Sequence, residues 1–148
     1  MKPVTVSIEV PQPAEQVFDY LAVLSNHEAF LDHFLVDWEF SGPQRGVGAK
    51  AAARAAAPMS QDWTEFEIVE AEEPRRIVEE GVGLKGKRHT RGTYRLRGLP
   101  SGGTEISFEL EWIESARAES LIPAMTRAFI RRPNAKAMRR LARQLAKD

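Results

Sequence analysis

The sequence contains no cysteine, which excludes disulfide staples, thiolate metal sites and a cysteine nucleophile. Net charge is missing too: 21 Lys and Arg balance 21 Asp and Glu over 148 residues. A chain without a basic excess gives no electrostatic case for nucleic acid, and no DNA partner is expected. No apolar run approaches the ~20 residues of a membrane-spanning helix. The opening MKPVTVSIEV passes directly into a strand pattern, without the apolar core of a signal peptide. These absences imply a soluble, cytoplasmic protein. The serines fall mostly in turns and no GxSxG elbow exists, so no Ser–His–Asp nucleophile is implied. Neither repeats nor a linker divide the chain, and its length suits one domain, 1–148, with an ordinary core.

What is present begins at the C-terminal end. Ala118–Lys147 is rich in Ala, Leu, Arg and Met, and Leu121, Met125, Ala128 and Phe129 recur at helical spacing, as do Ala137, Met138, Leu141 and Leu145. The segment predicts a helix roughly 40 Å long at 1.5 Å per residue. Pro133 is expected to kink it or to start a new helix at Asn134. Before it the pattern is mostly period two. Val4, Val6, Ile8 and Val10 alternate with polar residues and stop at Pro11 and Pro13. AEQVFDYLAVL then reads as an amphipathic helix, followed by a second short one near 27–33. Val36, Trp38 and Phe40 face one way, and Thr64, Phe66 and Ile68 do the same on a later strand. The clearest pair flanks GLPSGG, with Tyr94 and Leu96 opposite Ile106, Phe108, Leu110 and Trp112. Its other face sets Arg91, Arg95 and Arg97 against Glu105, Glu109 and Glu111, as suits a solvated antiparallel sheet. The expected fold is α+β: one strand, two short helices, six strands, one long helix.

AKAAARAAAP is read as a strand with Lys50 and Arg54 outside and Ala49, Ala51, Ala53 and Ala55 inside. Facing Trp38, Phe40, Phe66, Tyr94, Phe108 and Trp112, such small side chains leave room. Either Phe30, Phe34, Met125 and Phe129 fill it from the helices, or a ligand does.

Few residues offer chemistry. His27 and His33 lie six apart, which does not match the spacing of a metal pair on one helix face, and no metal is expected. His89 reads as an exposed histidine at a loop edge. GVGLKGKRHT has glycines and cations but no helix after it, so it is a loop at the rim of a cavity, not a phosphate loop. Glu79 has ambiguous strand parity. Inward, it is a candidate general acid or base; outward, the preferred reading, it is a surface charge. Tyr94 is the polar group expected inside, bonded to a ligand carbonyl or to backbone. Basic residues crowd the final helix, among them Arg131, Arg132, Arg139, Arg140 and Arg143. They offer a surface for RNA, a ribosome or a membrane, or a solvated face balanced by the acidic stretch Glu65–Glu73.

The element order, with VTVSIEVPQPAEQVFDYLAVLSN, EAEEPRRIV and GTYRLRGLPSGGTEISFELEW, resembles the SRPBCC superfamily. This is the helix-grip fold of START lipid-transfer domains and the birch-pollen allergen, and the pattern is most similar to the bacterial polyketide cyclase/dehydrase branch. The resemblance implies a sheet curled around the C-terminal helix and a cavity for apolar small molecules. It brings activities ranging from lipid, hormone or quinone binding to aromatic cyclisation, and no invariant catalytic motif. The expected function is binding of an apolar or aromatic molecule by Phe34, Trp38, Phe40, Ala51, Ala53, Phe66, Tyr94, Phe108, Trp112, Met125 and Phe129, without a cofactor. The alternatives are a cyclase/dehydrase-type enzyme using Tyr94 or Glu79, and docking through the basic helix. A monomer or a homodimer is expected.

Overall fold

The computed structural model describes residues 1–56, 62–115 and 121–147. Strand β1 (Val4–Val10) leads into α1 (Ala14–Leu21), a short 3-10 turn at Leu24–His27 and α2 (Glu28–Leu31). Six strands follow: β2 (Leu35–Ser41), β3 (Lys50–Ala55), β4 (Trp63–Glu72), β5 (Arg76–Gly83), β6 (Arg88–Gly98) and β7 (Thr104–Glu114). Helix α3 (Pro123–Leu145) closes the chain. All seven strands join one antiparallel sheet in the order β1-β7-β6-β5-β4-β3-β2. The α+β helix-grip arrangement read from the sequence is the observed one.

Alternation decides which face is buried. Ile77, Tyr94, Phe108 and Val6 form one inward row across four strands, and all four are buried. On the outer face Arg91 meets Glu80 at 3.0 Å, Arg95 meets Glu109 at 3.2 Å and Arg97 meets Glu105 at 3.2 Å. Exposed pairs of this kind contribute a few tenths of a kcal/mol each, so the inner face carries the stability. The acids of β4 also stay within the sheet and its loops. Glu67 pairs with Lys50, Glu70 with Arg76, and Glu72 with Arg75 and Arg76. Among the described residues none of these ion pairs reaches α3.

The alanine segment is a strand, β3, with Ala49, Ala51 and Ala53 buried inward and Lys50 and Arg54 outward; Ala57 lies outside the described residues. Ala51 sits in register between Phe40 and Phe66. Trp38 stacks on both rings, at 5.8 and 6.0 Å with 18° between planes. The small side chains make room for this aromatic stack. Strand β2 departs from simple alternation, because a bulge between Val36 and Glu39 places Asp37 at φ 58°. Val36 therefore pairs with outward Arg54, and Leu35 takes the inward position.

Helix α3 is shorter than expected. It starts at Pro123, where proline is suited to the first turn, and ends at Leu145; residues 118–120 lie outside the described residues. It runs unbroken through Pro133, and the Asn134 side-chain amide donates to the Ile130 carbonyl at 2.9 Å. Only the second half is gripped: Ala137, Met138, Leu141 and Leu145 are buried. Leu121, Met125 and Phe129, expected inward, are 74%, 53% and 61% exposed. The reason is what lies beneath, because α3 packs on β1 and α2. His33 locks this contact. Its Nε2 donates to the Pro133 carbonyl at 2.8 Å, and its Nδ1 accepts from Arg140 at 2.7 Å. Arg140 also donates to the Ala29 carbonyl and pairs with Asp32.

Two more arginines of α3 serve β1. Arg127 donates to the Lys2 and Pro3 carbonyls at 3.1 and 3.0 Å, and Arg131 to the Thr5 carbonyl at 3.1 Å. An edge strand presents unpaired carbonyls, and Arg131 covers one of them, while Arg127 holds the residues just before the strand. Of the five cations expected on a docking surface, Arg131 and Arg140 are thus engaged within the protein.

Candidate functional site

The inner face of the sheet thins where β5 and β6 cross its middle, because inward positions there are glycine. Gly92 lies between Glu79 and Leu110, and Gly81 between Phe66 and Thr90. A Cβ on Gly92 would stand 2.7 Å from the Phe108 ring and 3.3 Å from Glu79 Cγ; one on Gly81 would stand 2.9 Å from Thr90 Oγ1. Glycine inside a strand marks such a close approach. Above these positions lies a chamber of about 110 Å³. Phe34, Trp38, Phe66, Tyr94 and Phe108 supply its aromatic wall, and Leu24, Leu31 and Ile130 come from the helical side. A groove of about 850 Å³ shares Phe34, Leu35, Thr64, Arg88 and Ile130 with it and runs beneath the first half of α3.

Among the described residues, three titratable groups in this wall, His27, Glu79 and Tyr94, are nearly free of solvent contact. His27, 1% exposed, ends the 3-10 turn, and its Nε2 donates to the Leu21 carbonyl at 2.8 Å. Its ring packs on Phe30 and meets Tyr94 edge-on, with centroids 5.1 and 5.6 Å apart. Burial lowers its pKa from 6.5 to about 4, against a smaller upward pull from the bond to Leu21. Glu79, 8% exposed, points inward from β5, and burial raises its pKa from 4.5 to about 7. His27 Nδ1 and Glu79 Oε2 are 3.9 Å apart. Within the span from about 4 to about 7 both are predominantly neutral, so this is not an ion pair. Tyr94 is buried beside them, and its phenol pKa is pushed well up by burial and by the Glu79 charge.

The outward reading of Glu79 is therefore corrected. Ile77 and Val78 are both buried, on opposite faces of β5, so alternation there carries no parity signal. Among the expected binding residues, Phe34, Trp38, Phe66, Tyr94 and Phe108 meet around the chamber. Ala51 and Ala53 are buried but do not line it, and Ala51 lies in register between Phe40 and Phe66 of the aromatic stack. Phe40 is 41% exposed at the sheet edge, and Trp112 pairs with Thr90 outside the chamber wall. Met125 and Phe129 border the outer groove. His27, Glu79 and the glycines also line the inner chamber. Gly81 and Gly92, at inward parity within strands, are the signal that reveals them in the sequence. His89 is exposed, as expected. The loop read at a cavity rim holds a 3-10 turn, Leu84–Gly86, and its Leu84 and Arg88 border the groove.

A long helix gripped by an antiparallel sheet, with an apolar chamber between them, defines the class. The family model described as polyketide cyclase / dehydrase and lipid transport matches residues 1–148, and the chain belongs to this family. No curated protein sequence matches it. Among solved structures, the protein TTHA0849 from Thermus thermophilus is similar with a TM-score of 0.77 and 15% identity, over 99% of this chain and 98% of that one. Zhui aromatase/cyclase from Streptomyces sp. R1128 gives 0.76 and 14%, over 99% and 94%. Norcoclaurine synthase from Thalictrum flavum gives 0.75 and 12%, over 99% and 87%. At these identities the likeness is one of fold.

Proposed function

We propose that the chamber and its adjoining groove bind an apolar or aromatic small molecule, of lipid, quinone or polyketide-like chemistry. The observation that carries this reading is the chamber itself: five aromatic side chains around an unfilled volume of about 110 Å³, beside a groove of about 850 Å³. Ligand sites are concave, mostly apolar and furnished with a few placed polar groups. An apolar cavity of about 150 Å³ accepts benzene. At about 110 Å³ the inner chamber is smaller than that, so it suits the head of a molecule whose remainder follows the groove. Titration with the fluorescent apolar probe 1-anilinonaphthalene-8-sulfonate, with naphthalene as competitor, tests it. One saturable site per chain, displaced by naphthalene, is expected; a signal that never saturates would contradict it.

Glu79 supports a second reading, a cyclase/dehydrase-type enzyme. A buried carboxyl with its pKa near neutrality is matched to proton transfer at working pH, and Tyr94 stands beside it as a donor. Two structural neighbours are named as an aromatase/cyclase and a synthase. Unchanged turnover of a convertible ligand in both Glu79→Gln and Tyr94→Phe would remove this reading.

A further inference from the structure

We infer that the inner end of the ligand carries a hydroxyl group, held between His27 Nδ1 and the Glu79 carboxyl. The inference rests on the binding reading of the chamber and adds the chemistry of the end that enters first. A carbonyl only accepts, so the 2.8 Å contact to Leu21 fixes the His27 proton on Nε2. Nδ1 is then a bare lone pair on a ring that is 1% exposed, facing the chamber. Among the described residues no donor is bonded to it, and none to Glu79. Their separation of 3.9 Å exceeds a direct hydrogen bond.

One oxygen atom fits between them. Placed roughly 2.8 Å from each, it completes a chain in which Glu79 donates to the hydroxyl and the hydroxyl donates to Nδ1. The chain needs Glu79 to carry its proton, and burial keeps it there up to about pH 7. A carbonyl or ether oxygen accepts from Glu79 but leaves Nδ1 bare, and a methyl group serves neither. Leaving a buried acceptor unpaired is costly, so the site discriminates by the donor. Apolar packing cannot produce the same preference, because hydroxyl is better solvated by water than methyl.

Three probes of one shape test this: 2-naphthol, 2-methylnaphthalene and 2-methoxynaphthalene, each titrated calorimetrically into the full chain just below neutral pH. The expected result is 2-naphthol binding roughly tenfold to hundredfold tighter than either analogue. Glu79→Leu is expected to narrow that preference, since Nδ1 still accepts from the hydroxyl but the bond from Glu79 is gone, while 2-methylnaphthalene still binds. This variant orphans no hydrogen-bonded group, whereas replacing His27 would strand the Leu21 carbonyl. Equal binding of the three probes, or a preference that Glu79→Leu leaves undiminished, overturns the hydroxyl assignment and leaves the apolar-binding reading standing. Failure of all three probes to bind overturns both.

Discussion

His27 Nδ1 and Glu79 Oε2 face each other across 3.9 Å of the chamber, and burial moves their protonation in opposite directions. Glu79 keeps a proton up to about pH 7 that the unfolded chain releases near 4.5, so its contribution to stability falls as pH rises through that window. His27 refuses below 6.5 a proton that the unfolded chain takes up, so its contribution is lost as pH falls toward 4. Each effect is on the order of 3 kcal/mol across its window. They have opposite signs, and over the shared part they offset one another.

Glu79→Gln removes one side of that balance. Relative to the unsubstituted protein, the variant is expected to gain on the order of 3 kcal/mol as pH rises from 4.5 to 7, and to keep the gain above 7. Urea unfolding of both proteins across this range measures the difference. A difference that does not change with pH would place Glu79 in solvent.

The two halves of α3 are expected to respond differently to truncation. Leu141→Ala opens a cavity in the gripped half and should cost about 2–5 kcal/mol. Phe129→Ala, in the exposed half, should stay within about 0.5 kcal/mol. Equal losses by chemical denaturation would mean that the first half is packed as tightly as the second.

Arg131→Ala uncovers the Thr5 carbonyl on the β1 edge and should cost about 1 kcal/mol. It should also raise amide exchange in β1. A neighbouring cation, Arg132, has no such bond to β1 among the described residues, and its replacement by alanine should change neither. Identical behaviour of the two variants would make the edge cover incidental.

Gly92→Ala drives a methyl into the Phe108 ring and toward Glu79. Overpacking of this kind costs about 1–3 kcal/mol, and the apolar probe should bind more weakly. Gly98→Ala is the control, since nothing lies within 4 Å of the added atom. Undiminished probe binding in Gly92→Ala would move the ligand elsewhere.

Most of the architecture was legible because alternation and turn residues speak locally. Val4–Val10, the arginine–glutamate pairs of β6 and β7 and the GLPSGG turn each declare a face or a corner. The chamber was legible only in its aromatic wall. Small residues on an inward face pointed to β3, yet the room beside Ala51 is taken by Trp38 and Phe66, while the unfilled chamber is bordered by Gly81 and Gly92, over which Thr90 and Phe108 close in. Which hollow stays open depends on side chains arriving from other strands, and no local pattern contains that. The Asp37 bulge and the double burial of Ile77 and Val78 hid parity for the same reason. Met125 and Phe129 kept helical spacing without a surface to lie on, since spacing defines a face but not what covers it.

A crystal soaked with 1-bromonaphthalene tests the binding claim most directly, because the anomalous signal of bromine locates the ligand independently of shape. The expected result is one strong peak per chain within the chamber, above Gly81 and Gly92 and against Phe66 and Tyr94. Peaks confined to the outer face of the sheet, with the chamber rings closed on one another, would contradict it.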